Sequence, residues 1–281
     1  MGYKTIDVKP VSGALGAEIE GVDLSKDLSN ETFDDIHRAF LDHVVIFFRD
    51  QHIGHDRHKA FGRRFGTLNI HPYVKGMDGH PEIMQIVKEP EDRINFGGGW
   101  HSDMSFLEEP ALGSILYAKE VPPYGGDTLW ANQYLAYETL SDGMKKMLEG
   151  LKAIHTAKGE YSERGASAQR RKSMDVTVAG DDTPSFEHPV VRTHPETGRK
   201  ALYVNPAFTT RIVGYTDEQS NALLMRLYAH AMKPDHAHRF KWRDGSVAFW
   251  DNRSTWHWAM NDYHGERRLM HRITIEGCAL N

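Results

Sequence analysis

The chain has 281 residues, 40% of them hydrophobic and 26% charged, the balance of an ordinary globular protein long enough for one large domain or two small ones. Its formal net charge of -5 argues against broad binding to nucleic acid or an anionic membrane, and no run of about eighteen apolar residues is present to cross a bilayer. A single cysteine, Cys278, excludes an intrachain disulfide and every zinc site built on several thiolates; with no apolar signal core in "MGYKTIDVKP", it points to the cytoplasm.

In chain order, extended segments are expected around Ile6–Val11 and Ala17–Glu20. Ser29 and Asn30 offer capping side chains to a helix whose apolar face is Phe33, Ile36 and Phe40. "HVVIFF" (43–48) has the length and β-branched character of a buried strand, and a second helix is expected over 56–65. "GGGWHSDMSF" (97–106) then sets a histidine and an aspartate two apart. On an extended strand both point the same way, and if that way is inward they are costly buried groups or the start of a metal site. A strand over Gly113–Val121, turn chemistry at Pro122–Asp127 and extended chain at Thr128–Trp130 follow, then helices over Asn132–Thr139 and Asp142–Leu148. Residues 157–187 are charged, contain glycine and lack periodicity, which makes them too long for an ordinary connection and marks a mobile functional loop or disorder. The clearest helix begins with a capping box, Thr216 and Gln219. It carries Leu223, Leu224, Leu227 and Ala231 as one stripe, with Pro234 beyond its end. Strand-like pieces at Ser246–Asn252 and Leu269–Gly277 close the chain. Scattered strands with helices grouped between them imply an α+β arrangement around a β core. A doubly wound sheet lacks support, because no G-x-G-x-x-G lies between a strand and a helix.

His101 and Asp103 gain meaning from a distant cluster over residues 250–272, which holds His257, His264 and His271 with Arg253, Arg267, Arg268 and Arg272. A His-x-Asp pair plus one remote histidine supplies two imidazoles and a carboxylate. That set covers one face of an octahedral metal and leaves the other open, the facial triad of non-haem iron(II) oxygenases. A structural zinc site would instead close with a fourth protein ligand. In a chain with 17 histidines such pairs also arise by chance. In "RRLMHR", Arg268, Met270 and Arg272 share one strand face, while Leu269 and His271 share the other. Two buried arginines roughly 13 Å apart along a strand would each need an anion, such as a carboxylate held by a bidentate contact; the alternative is a solvated face.

The ordered set "WHSDMSF", "GGDTLW", "NPAFTTRI", "FWDNRSTWHWAMNDY" and "RRLMHRITI" strongly resembles the taurine dioxygenase family, which includes alkylsulfatases and phenoxyalkanoate herbicide dioxygenases. The resemblance runs from "VSGALGAEIEGVDL" to the C-terminal strand. It implies one Fe(II)- and 2-oxoglutarate-dependent dioxygenase domain over residues 1–281, folded as a double-stranded β-helix (jelly roll) flanked by helices, with a mobile lid at 157–187. The implied iron ligands are His101, Asp103 and His257. Thr128 and Arg268 would hold the far carboxylate of 2-oxoglutarate. Arg272 and His71 would meet an anionic head group, and Phe208 would wall the pocket. The implied reaction consumes O2 and 2-oxoglutarate, releases succinate and CO2, and hydroxylates a small anionic organic substrate such as a sulfonate, sulfate ester or aryloxyalkanoate. Family members are often homo-oligomers. One departure is the glycine run Gly97–Gly99, where taurine-specific members carry asparagine. It makes room and offers no side-chain amide for a substrate amine, which leans away from taurine toward a bulkier acid. Two rivals remain: a zinc-dependent hydrolase on the same ligands, and a non-catalytic jelly roll that binds a small acid. Trp256 and Trp258 read as core, His264 and His271 as surface or supporting groups, Asp251 and Asn252 as braces for the turn before His257, and Arg170–Lys172 as a solvated loop.

Overall fold

The computed structural model describes residues 2–162 and 173–279. Strands β1 (Asp7–Pro10) and β2 (Ala17–Glu20) open the chain as an antiparallel pair. Helix α1 (Asn30–His43) starts where the Ser29 side chain accepts the Thr32 N–H, buries Ile36, Ala39 and Phe40, and ends at Val44 with φ 58°. Next come β3 (Val45–Phe48), α2 (His55–Arg63), β4 (Leu68–Asn69), β5 (Met84–Lys88), β6 (Gly113–Glu120) and β7 (Thr128–Asn132). The middle holds α3 (Gln133–Glu138), α4 (Asp142–Leu148), β8 (Lys152–Thr156), α5 (Lys158–Tyr161), β9 (Ser185–Pro189), β10 (Val191–Thr193), β11 (Lys200–Leu202) and β12 (Thr209–Ile212). The capping box of Thr216 and Gln219 then starts α6 (Asp217–Ala231). Finally come β13 (Ala237–Phe240), β14 (Val247–Asp251), β15 (Thr255–Ala259) and β16 (Arg268–Ile275).

The large sheet runs β1-β2-β3-β14-β6-β16-β4, with β5 following β4 along the edge of β16 opposite β6. A smaller sheet, β13-β7-β15, faces it. Strand alternation sorts the side chains. Phe47, Trp250, Leu116 and Met270 from the large sheet join Trp130 and Phe240 from the small one in a shared core. Ile46, Phe48, Phe249 and Ile273 point the other way and pack against Ile36 and Phe40 of α1 and Phe61 of α2. The outward Ala131 and Trp256 of the small sheet pack on Leu223, Leu224 and Leu227 of α6. Two facing sheets around one core, with helices outside, form the double-stranded β-helix.

Three sequence expectations change. The His101–Asp103 stretch is not a strand: His101 makes a lone bridge to His257, and a turn carries Asp103. The second helix stops at Arg63, before Phe65. Several strands carried no sequence signal, including the two-residue β4 and the three-residue β10 and β11. Within 157–187 the chain forms α5, then Asp175–Thr177 pairs with Tyr73–Lys75 and β9 begins. Residues 163–172, and with them Arg170–Lys172, lie outside the described residues.

Candidate active site

The His101–His257 bridge is reciprocal: His101 N–H donates to the His257 carbonyl at 3.1 Å, and His257 N–H to that of His101 at 2.8 Å. It sets the two imidazoles side by side with ring centroids 4.0 Å apart. Asp103 arrives from the turn, where Met104 takes a positive φ of 54°. Its Oδ1 lies 3.6 Å from His101 Nε2 and 3.7 Å from His257 Nε2. Among the described residues these three form the one group of metal-ligating side chains, their ligand atoms all within 4.8 Å of one another.

The protonation states suit a divalent cation. His101 Nδ1 contacts the Gly99 carbonyl at 2.8 Å. A carbonyl only accepts, so Nδ1 carries a proton and Nε2 is the nitrogen turned toward Asp103. His257 is driven well below the ordinary histidine range, first by burial and then by His101, and stays neutral. Burial alone would raise the Asp103 pKa, but Arg272 first, then His257 and His101, hold it well below the carboxylate range. Arg272 Nη1 donates to Asp103 Oδ1 at 2.8 Å, and Ser114 Oγ donates to Oδ2 at 2.7 Å. Two imidazole Nε2 atoms and one carboxylate on one side therefore fit iron(II) with an open face. They do not make the closed tetrahedron of structural zinc.

Asn252 braces this arrangement further than its place before the turn implied. Its Oδ1 accepts from Trp250 Nε1 at 2.9 Å and from the Asp103 N–H at 3.3 Å, and its Nδ2 donates to Ser114 Oγ at 3.1 Å. Asp251, fully buried, grips Arg253 and His194. Trp256 lies in the core, His264 is exposed, and His271 is buried on the far face of β16, its ring 5.3 Å from that of His55.

Beside the triad, β16 turns Arg268, Met270 and Arg272 inward, and all three are buried, so the solvated-face alternative falls away. Thr128, Arg268 and Arg272 share one recess with His101 and His257. Burial lowers the Arg268 pKa, and its Nε and Nη2 have no acceptor among the described residues. Two buried guanidinium N–H groups without acceptors are a site for an anion.

A pocket of about 250 Å³ opens on the other side of His101 and Asp103. His71, Gly97–Gly99, Met104, Tyr161 and Phe208 line it, together with Glu160. His71 Nδ1 accepts the N–H groups of Tyr73 and Val74, each at 3.1 Å. Its proton therefore sits on Nε2, which lies 3.3 Å from the Tyr161 hydroxyl. Burial, reinforced by Arg272, pushes the His71 pKa down to about 3, so His71 is a neutral donor and not a cation. Phe208 packs edge-on to Phe106 at 4.9 Å. The structure thus gathers every sequence-derived candidate into two adjoining spaces. Tyr161 and Met104 line the pocket as well, and Ser114 and Trp242 support it by bonding Asp103 and Thr128; all four were missed, because nothing in their local sequence separates them from core residues.

A family model described as taurine catabolism dioxygenase TauD, TfdA family, matches residues 7–274. An alkylsulfatase from Acinetobacter baylyi is 36% identical over 97% of this chain and 85% of its own length. An alpha-ketoglutarate-dependent sulfate ester dioxygenase from Pseudomonas putida is 36% identical over 97% of this chain and 90% of its own. The crystal structure of a taurine dioxygenase from Burkholderia xenovorans superposes with a TM-score of 0.83 at 38% identity, covering 99% of this chain and 91% of that one. With this fold, this His–Asp–His cluster and matches over nearly its whole length, the chain belongs to the TauD/TfdA family and is a dioxygenase dependent on iron(II), 2-oxoglutarate and O2.

Proposed function

We propose that the protein oxidises a sulfate ester or sulfonate with an apolar carbon chain. His101, Asp103 and His257 would hold the iron, and Thr128 and Arg268 the far carboxylate of 2-oxoglutarate. Arg272 and the neutral His71 would receive the substrate's anionic head, with Phe208, Phe106 and Met104 along its carbon chain. Iron bound there supplies the oxygen activation that couples conversion of 2-oxoglutarate to succinate and CO2 with hydroxylation of a substrate C–H. The protein's part is placement: the pocket aims one carbon at the open face, and the surrounding aromatic rings keep water out. If that carbon bears a sulfate oxygen, the hydroxylated product breaks its C–O bond, leaving an aldehyde and sulfate.

The observation carrying this reading is the neutral His71 donor in a pocket lined largely by rings, glycines and Met104, with the Arg272 guanidinium, which bonds Asp103 Oδ1, in the adjoining recess. The bare Gly97–Gly99 edge favours an unfunctionalised chain over an amino sulfonate. The test is iron(II), 2-oxoglutarate and O2 with a medium-chain alkyl sulfate, an aryloxyalkanoate or taurine. Equal yields of succinate, aldehyde and sulfate from the first, with little turnover of taurine, are expected. Sulfate release without 2-oxoglutarate would instead favour the zinc hydrolase. Asp103→Ala should abolish succinate formation. The lid over 157–187, the single domain, a homo-oligomer and a cytoplasmic setting belong to the same proposal; the lone cysteine supports the last.

A further inference from the structure

Trp242, just past β13, carried no expectation from the sequence. In the structure its indole Nε1–H donates to Thr128 Oγ at 2.9 Å. An indole nitrogen can only donate, so the Thr128 hydroxyl must accept here, and its own proton must leave in another direction. No hydrogen bond among the described residues uses that proton. The Arg268 guanidinium centre lies 5.8 Å from the Trp242 ring centroid, with its Nε and Nη2 also lacking acceptors. Trp242 itself has little freedom. It is 4% exposed, sits edge-on to Phe240 with centroids 5.0 Å apart, and lies beside Trp130 at 6.2 Å. Phe240 pairs in register with Thr128 across β13 and β7, so the backbone that positions the indole is the backbone that positions the hydroxyl.

We infer that Trp242 is a positioning residue for the co-substrate: by occupying a lone pair of Thr128 it biases that hydroxyl to donate beside Arg268, ready for a carboxylate. A free threonine hydroxyl rotates among three directions and can turn a lone pair toward an incoming anion. The indole closes one of those directions to the proton before the ligand arrives, so part of the ordering cost falls on folding instead of binding. This rests on the reading of Thr128 and Arg268 as the far-carboxylate site, and the test separates the two ideas.

The measurement is calorimetric affinity of the Mn(II)-loaded protein for N-oxalylglycine, which carries the far carboxylate, and for oxalate, which chelates but lacks it. Trp242→Phe should weaken N-oxalylglycine about tenfold, the scale of one hydrogen bond to a charged group, and leave oxalate within about twofold. Thr128→Val should do the same, and the double variant should be no worse than either single one. Replacing Trp242 by benzothienylalanine, which keeps the ring volume and lacks the N–H, gives the same contrast without a packing change. An unchanged N-oxalylglycine affinity in both Trp242 variants, or equal weakening of both ligands, overturns the inference. Arg268→Leu tests the underlying reading: if it too fails to distinguish the two ligands, the carboxylate site lies elsewhere.

Discussion

Asn252 stands at the junction of the site's supports. One amide receives the Trp250 indole and the Asp103 N–H and donates to Ser114, which in turn holds Asp103 Oδ2. Asn252→Leu keeps the volume and removes all three bonds, so Mn(II) affinity should fall roughly 10–100-fold, read by calorimetric titration; unchanged affinity would show that the turn alone holds the carboxylate. Gly97 has φ +74°, and a Cβ there would lie 3.2 Å from His101 Cε1. Asparagine tolerates that backbone, so Gly97→Asn should fold and narrow the pocket beside His101. Turnover of a long-chain sulfate should drop by more than about tenfold relative to a short one, and equal losses for both would exclude a role in chain selection. Arg272→Ala should raise the substrate KM far more than that for 2-oxoglutarate; the reverse pattern would mean that Arg268 and Arg272 exchange roles. That the triad, the two arginines and Thr128 lie together was foreseen through the ordered motifs of the family resemblance, which are distinctive only as a set. Asn252 was legible only as a brace for its turn and Trp242 not at all, because an amide that braces a turn and one that holds a ligand's backbone, like a core indole and a donating one, read alike in one dimension.

At the scale of elements, legibility followed length and alternation. The Thr216–Gln219 box and the Leu223–Leu227 stripe foretold α6, and the parity of "RRLMHR" put Arg268 and Arg272 on one face of β16, which the structure turns inward. The two- and three-residue strands escaped, since pairing partners far along the chain, and not local propensity, make them strands. The same cause explains the turn at Asp103: His101 is extended because it bonds His257, and the chain is free to bend immediately after. The capping box allows a direct check, because Thr216→Ala removes the acceptor for the Gln219 N–H. The expected loss is about 1 kcal/mol of unfolding free energy, seen in urea denaturation without a change in activity at saturating substrate.

At the scale of the whole molecule, buried imidazoles govern the response to acid. Burial pulls His58 and His155 each down to about 3, against roughly 6.5 in an unfolded chain. Unfolding therefore takes up protons. The contribution of these groups is complete above about pH 6.5 and declines as pH falls from there toward 3, by about 1.4 kcal/mol per pH unit for each. Urea midpoints should fall steeply between pH 6.5 and 4, and His155→Asn should flatten that dependence; an unaltered slope would mean that the imidazole is already charged in the folded protein.

The reciprocal clasp between residues 101 and 257 has a kinetic corollary. It ties a non-strand segment to the free edge of β15, so one event, the lifting of that segment, bares both amides. Deuterium should therefore enter both positions at one common rate, and labelling of one well before the other would show that the two bonds open separately.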